Sequence, residues 1–120
     1  MDQLKIDAVA LAKIQSSFSD ASTLLPVVVQ DFETLEVLML AYLNKSALEL
    51  TISTGRGTYF SRSRGEIWMK GESSGNRQWV RSISFDCDSD ALLFLVHQEG
   101  VACHTGEMSC FHNKIAYLRD

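Results

Sequence analysis

The chain has little that would stiffen or cross-link it. A single proline, Pro26, stands in 120 residues, and the three cysteines are an odd number. An odd count excludes a fully paired disulfide framework within one chain. No run of 18 apolar residues occurs, which excludes a simple membrane-spanning helix. The start, Met1-Asp2-Gln3-Leu4-Lys5, lacks the basic region and apolar run of a secretory signal, so the cytoplasm is the expected compartment. Basic charge is also short, with 11 Lys and Arg against 15 Asp and Glu and a net charge of -4. A nucleic-acid partner would need a strong local basic patch to overcome that balance. A small phosphorylated substrate needs only a few converging donors. Walker and dinucleotide-binding spacings are missing, as are repeats, linkers and low-complexity stretches.

What remains is an ordinary globular composition, 46% apolar and 22% charged, read as one domain over residues 1–120 with a moderate core. Spacing predicts a first helix over 7–19, with Val9, Ala10, Ile14 and Phe18 near helical period. Residues 24–30 read as a strand with Pro26 near its start. After a turn at 31–34, a second strand over 35–42 makes a hairpin with the first. Asn44 caps a second helix that runs to Thr54 and stops at Gly55, its last turn weakened by β-branched Thr51 and Ile52. Further strands are expected at 58–60, 66–69, 77–86 and 91–97, with a short one through Ile115, Tyr117 and Leu118. The expected class is α+β, predominantly β, with a twisted, barrel-like sheet and two short helices.

Two clusters carry chemistry. In Asp86-Cys87-Asp88-Ser89-Asp90 three carboxylates alternate with other residues. In an extended chain they share one face and repel unless a cation neutralises them. A hard cation such as Mg2+ accepts such oxygens, and the bland alternative is a solvated acidic turn. In Cys103-His104-Thr105-Gly106-Glu107-Met108-Ser109-Cys110 two thiols flank a glycine-bearing loop. With Cys87 they make a soft set suited to Zn2+, and three protein ligands leave a position for water. The alternative is three buried cysteines acting as small hydrophobes. His104 reads as general base or proton shuttle, since imidazole exchanges protons near neutrality, with a role as fourth ligand still open. His97 reads as a satisfied core or edge histidine and His112 as solvated. Ser61-Arg62-Ser63-Arg64 and Lys70-Gly71-Glu72-Ser73-Ser74-Gly75-Asn76 offer guanidinium, hydroxyl and close backbone donors for phosphate. Trp68 and Trp79 read as core or interface aromatics rather than stacking platforms.

Several ordered segments resemble the phosphoribosyl-AMP cyclohydrolase family of histidine biosynthesis. They are residues 37–44, Ser61–Arg64, Trp68–Asn76, Asp86–Asp90, Ala102–Gly106 and Ser109–Phe111, within a resemblance covering about 24–113. The chain departs from the family pattern at Ser61 and at Val101, where proline is usual. The resemblance implies an intertwined homodimer with active sites at the subunit interface. It implies zinc held by Cys87 of one subunit with Cys103 and Cys110 of the other, and Mg2+ on Asp86, Asp88 and Asp90. His104 matches the catalytic histidine, while Arg62, Arg64, Lys70, Glu72, Ser73, Ser74 and Asn76 are the candidate substrate contacts. The implied reaction is hydrolysis of the N1–C6 bond of the adenine ring of phosphoribosyl-AMP. With no further domain after Asp120, only that activity is expected. The rival readings are a structural zinc module that binds RNA or protein, and a related deaminase. The deaminase pattern of His-x-Glu followed by Pro-Cys-x-x-Cys is missing.

Overall fold

The computed structural model describes residues 3–119. Helix α1 runs Ala8–Gln15, and the Asp7 carboxylate caps it by accepting from the backbone N–H groups of Val9 and Ala10, both at 3.0 Å. It is shorter than the spacing predicts. At Ser16 the hydroxyl donates to Lys13 O at 2.6 Å, and Ser17 and Phe18 bond three residues back rather than four, so the turn tightens and the helix ends. Phe18 is still buried beside Ile14, whereas Val9 is exposed.

Strand β1 (Leu25–Asp31) alternates buried and half-buried residues, with Val27 and Val29 fully inside. It pairs antiparallel with β2 (Val37–Leu43) as the expected hairpin. Asp31 closes the turn, its Oδ1 accepting from the N–H groups of Glu33 (2.8 Å) and Thr34 (2.9 Å). Helix α2 (Lys45–Thr54) begins at Asn44, whose side chain accepts from Ala47 N, and stops at Gly55 with φ 74°. Thr51 is fully buried in its last turn. Its hydroxyl donates to Ala47 O and accepts from Thr58 N (3.1 Å), tying the helix to the next strand.

Strands β3 (Thr58–Ser61) and β4 (Glu66–Met69) form a separate two-stranded hairpin. Strands β5 (Gln78–Phe85) and β6 (Leu92–Gln98) complete a four-stranded sheet of order β2-β1-β6-β5. Its centre is a parallel pair: Val27 to Asp31 of β1 lie against Leu92 to Val96 of β6. One core takes Val27, Val29, Met39, Ala41, Phe94 and Val96 from the sheet, with Ile14, Leu48 and Tyr59 covering them. The opposite sheet face is also apolar. The register aligns Leu40, Val28 and Leu93 across three strands, and Leu40 is 47% exposed.

Two further expectations fail. The tail beyond Phe111 forms no strand among the described residues. Ile115, Tyr117 and Leu118 are exposed, because alternation alone does not make a strand without a neighbour to pair with. The acidic segment is a turn between β5 and β6 rather than an extended stretch. No helix among the described residues is long and apolar enough to cross a membrane.

Candidate active site

The candidate clusters lie at two ends of the sheet, and β6 connects them. At its start, residues 86–91 reverse the chain. Asp86 N donates to Ala91 O and Ser89 N to Asp86 O, both at 3.0 Å, and Ser89 adopts φ 57°. Asp86 Oδ1 accepts from the N–H groups of Asp90 (3.0 Å) and Ala91 (3.2 Å). The turn achieves what alternation in a strand was expected to do, since one oxygen from each of Asp86, Asp88 and Asp90 lies within 4.8 Å of the others. The Asp90 N–H holds the Asp86 carboxyl below the usual carboxylate range. Its hydrogen bond with Asp86 and the Asp86 charge raise Asp90. That is the response of crowded like charges.

Neighbouring oxygens on an octahedral Mg2+ lie about 3 Å apart and opposite ones about 4.2 Å, so at most one of the three pairs could span the ion. The three carboxylates are exposed and free to rotate toward that spacing, and an all-oxygen donor set is the kind this cation takes. Cys87 is exposed on the same turn. Arg62 lies toward this end too, its guanidinium 3.9 Å above the Tyr42 ring, and Tyr42 pairs with Pro26 near the start of β1. Tyr42, Phe60, Ser61, Arg62 and Trp68 line a cleft of about 570 Å³. Arg64 turns aside to Glu66 at 3.7 Å, with both side chains exposed, a pairing of little energetic weight.

The other end gathers the thiols. The chain after β6 folds back on itself: Ala102 N donates to Met108 O, Cys103 N to Glu107 O, and Gly106 N to Cys103 O. Gly106 makes that return at φ 94°. Ser109, buried, donates its hydroxyl to Val37 O at 2.7 Å, and Cys110 N donates to Leu38 O at 2.7 Å. Cys103 and Cys110 are thereby neighbours, close enough for each thiol to shift the other. The Thr105 hydroxyl donates to Cys103 Sγ at 3.0 Å. Chiefly through Thr105, with help from His112 and Cys110, the Cys103 thiol is lowered to about 6. Burial and the Cys103 charge push Cys110 up. Partial burial pulls the Lys70 ammonium down, and the two neighbouring thiolates work against that shift. A free thiol pair with one member readily ionised, beside a cation, fits a soft metal such as Zn2+.

His112 is the residue that spacing undervalued. Its Nε2 is 3.8 Å from Cys103 Sγ and 3.5 Å from Thr105 Oγ1. The Cys110-x-His112 spacing was the available signal, since alternate residues of an extended chain share a side. His104 is exposed on the loop. Of the Lys70–Asn76 contacts, Glu72, Ser73 and Ser74 are exposed and Asn76 is half-buried. This loop stays at the thiol end because Lys70 N donates to Gly57 O and Glu99 N to Arg77 O. Within one chain Lys70 and Arg62 therefore sit at opposite ends of the β3–β4 hairpin. Trp79 is no free platform. Arg56 covers its ring at 5.1 Å, and its indole N–H donates to Glu99. His97 is exposed, 3.9 Å from Glu33.

Fold and site together define a small α+β protein that presents paired thiols and grouped carboxylates at opposite ends of one mixed sheet. Its relatives share this segment of sequence. The model of the phosphoribosyl-AMP cyclohydrolase family matches residues 39–112. A phosphoribosyl-AMP cyclohydrolase of Methanocella arvoryzae is 58% identical over 85% of this chain and 84% of its own. One from Nitrosopumilus maritimus is 53% identical over 82% of this chain and 91% of its own. The histidine biosynthesis bifunctional protein HisIE of Caldanaerobacter subterraneus is 56% identical over 78% of this chain and 45% of its own. The chain belongs to the phosphoribosyl-AMP cyclohydrolase family.

Proposed function

We propose that this chain hydrolyses the N1–C6 bond of the adenine ring in phosphoribosyl-AMP, the cyclohydrolase step of histidine biosynthesis, as a cytoplasmic homodimer. In this reading Zn2+ is held by Cys87 of one subunit with Cys103 and Cys110 of the other, and Mg2+ by Asp86, Asp88 and Asp90. The observation that carries it is the placement of the thiols. Cys87 precedes β6 and Cys103 follows it, and the seven residues of that strand put roughly 20 Å between its ends. One extended strand thus keeps the third thiol away from the other two, and a second copy can supply it. The apolar row Leu40, Val28 and Leu93 offers such a copy a sheet face to cover.

The chemistry Zn2+ supplies when bound is activation of water near neutral pH. The protein does the rest. His104, one residue from Cys103 and open to solvent, accepts a proton as water adds to C6. The C6–N1 bond then breaks and N1 takes up a proton, for which His104 and Glu72 are the donors at that end of the sheet. Lys70 offsets thiolate charge. Arg62 and the hydroxyls of Ser61 and Ser63 suit the phosphates, as does a magnesium ion on the acidic turn. Contacts at the phosphates orient the reacting ring, so binding energy remote from C6 lowers the barrier there.

The test is subunit mixing. Cys87→Ser and Cys103→Ser are each expected to lose zinc and nearly all turnover. Unfolded and refolded together in equal amounts, they regain about a quarter of parental activity, since half the dimers are mixed and each mixed dimer holds one intact site. Full activity with undiminished zinc in Cys103→Ser refutes the ligand set. Two inactive variants that refold into mixed dimers without recovery refute the shared site. A structural zinc module would bind the metal and leave phosphoribosyl-AMP unchanged.

A further inference from the structure

The thiol end of the sheet also holds a buried line of polar side chains that the chemistry above does not use. Tyr59 and Gln78 are fully buried and Gln98 is 7% exposed. The Tyr59 hydroxyl donates to Gln78 Oε1 at 2.5 Å, and Gln78 Nε2 donates to Gln98 Oε1 at 2.9 Å. Burial pushes the Tyr59 phenol far up, so it stays a donor. Each amide then has only one workable orientation.

Gln98 Nε2 ends the line facing four backbone carbonyls: Glu99 at 2.9 Å, Arg77 at 3.3 Å, and Asn76 and Val101 at 3.4 Å. The first pair of partners matters less than where all four lie. Asn76 and Arg77 close the loop that begins at Lys70, while Glu99 and Val101 lead into the loop that carries Cys103. The backbone repeats this seam, with Glu99 N donating to Arg77 O at 2.8 Å. Gly100 completes it. At φ +69° it lies so close that a Cβ would stand 2.2 Å from Asn76 Oδ1. A buried polar line is costly wherever a partner is missing, and an apolar side chain would fill the same space at less risk.

We propose that Gln98, oriented by Gln78, is a positioning residue that sets the register between the Lys70–Arg77 loop and the Cys103 loop. This rests on the cyclohydrolase reading, in which one loop contacts substrate and the other carries the reacting centre. Reacting atoms must approach to about 3–3.5 Å, and a misplacement of about 1 Å costs on the order of 100-fold in rate. A seam between the two loops is where such a misplacement would arise.

Gln98→Met keeps length and volume and removes the donors. The expected result is a kcat lowered about 30- to 100-fold, with KM within about threefold and zinc per chain equal to the parent. Amide hydrogen exchange at Arg77 and Glu99 should accelerate. Gly100→Ala, at an exposed position, pushes Asn76 from outside and is expected to give the same split, which covers the case of a Gln98 variant that does not fold. A lowered melting temperature with parental kcat makes the line merely structural and overturns the proposal. So does parental exchange at Arg77 and Glu99. Absence of turnover in the parent overturns the cyclohydrolase reading and this proposal together. Turnover in the parent with parental kcat in the folded variants overturns this proposal alone.

Discussion

Gly57→Ala adds one carbon where the fold has no room for it. Gly57 is held from both sides by the backbone, its N–H donating to Gln78 O and its carbonyl accepting from Lys70 N, each at 2.9 Å. A Cβ there would lie 2.6 Å from the Tyr59 hydroxyl oxygen, 2.7 Å from Gln78 Oε1 and 3.2 Å from Gln78 Cβ. Both neighbours are fully buried, so neither can retreat into solvent. Overpacking a core costs about 1–3 kcal/mol, and breaking the phenol–amide hydrogen bond costs about 1–3 kcal/mol more. The lower unfolded-state entropy of alanine returns about 0.4–1 kcal/mol. The net loss is about 1–5.5 kcal/mol, which for a chain of this length lowers the melting temperature by roughly 4–22 °C.

Urea denaturation at one fixed protein concentration is the assay, because the apparent stability of the proposed dimer would depend on concentration. The midpoint should fall with the slope unchanged. A double-mutant cycle with Tyr59→Phe sharpens the test. Removing the nearest clashing atom should cost less in the alanine background than in the parent. Gly75→Ala is the contrast: nothing lies within 4 Å of its Cβ position, though φ is +80°, so the backbone alone limits its loss to about 1–3 kcal/mol. A Gly57→Ala protein within about 0.5 kcal/mol of the parent, the scatter of ordinary surface substitutions, would refute the reasoning.

Two further outcomes follow from the site. His104→Ala should keep its zinc and its dimer while kcat falls about 10²–10⁴-fold, the usual weight of a general acid–base group; metal analysis showing zinc loss would make His104 a ligand instead. Asp88→Asn should raise the magnesium needed for half-maximal activity by about tenfold or more, and an unchanged magnesium titration would remove the acidic turn from that role.

The parts of this fold that could be read from the chain are those with local causes. Asn44 and Gly55 mark the ends of α2 because one side chain caps and one backbone turns left-handed. The β1–β2 hairpin follows from two apolar runs around a turn built on Asp31. Where local signals compete, expectation drifted. The serines at 16 and 17 ended α1 early, and the Asp86 carboxylate drew residues 90 and 91 into a turn where alternation suggested a strand. The carboxylates of 86, 88 and 90 converge all the same, for a different reason. Pairing between distant segments leaves no local trace, so the β1–β6 partnership could not be read from spacing, whereas the Cys110-x-His112 spacing was a local hint of the approach of His112 to Cys103 that was passed over.

That β1–β6 partnership governs how the protein is made. Val27 finds its parallel neighbour in Leu92, so the centre of the sheet stays open until β6 has been made. Long-range pairing of this kind is slow to form. Until it does, the β1–β2 hairpin exposes a bare, valine-rich strand edge that invites pairing with other chains. Synthesis of this protein therefore carries a window of aggregation risk that closes only when β6 arrives.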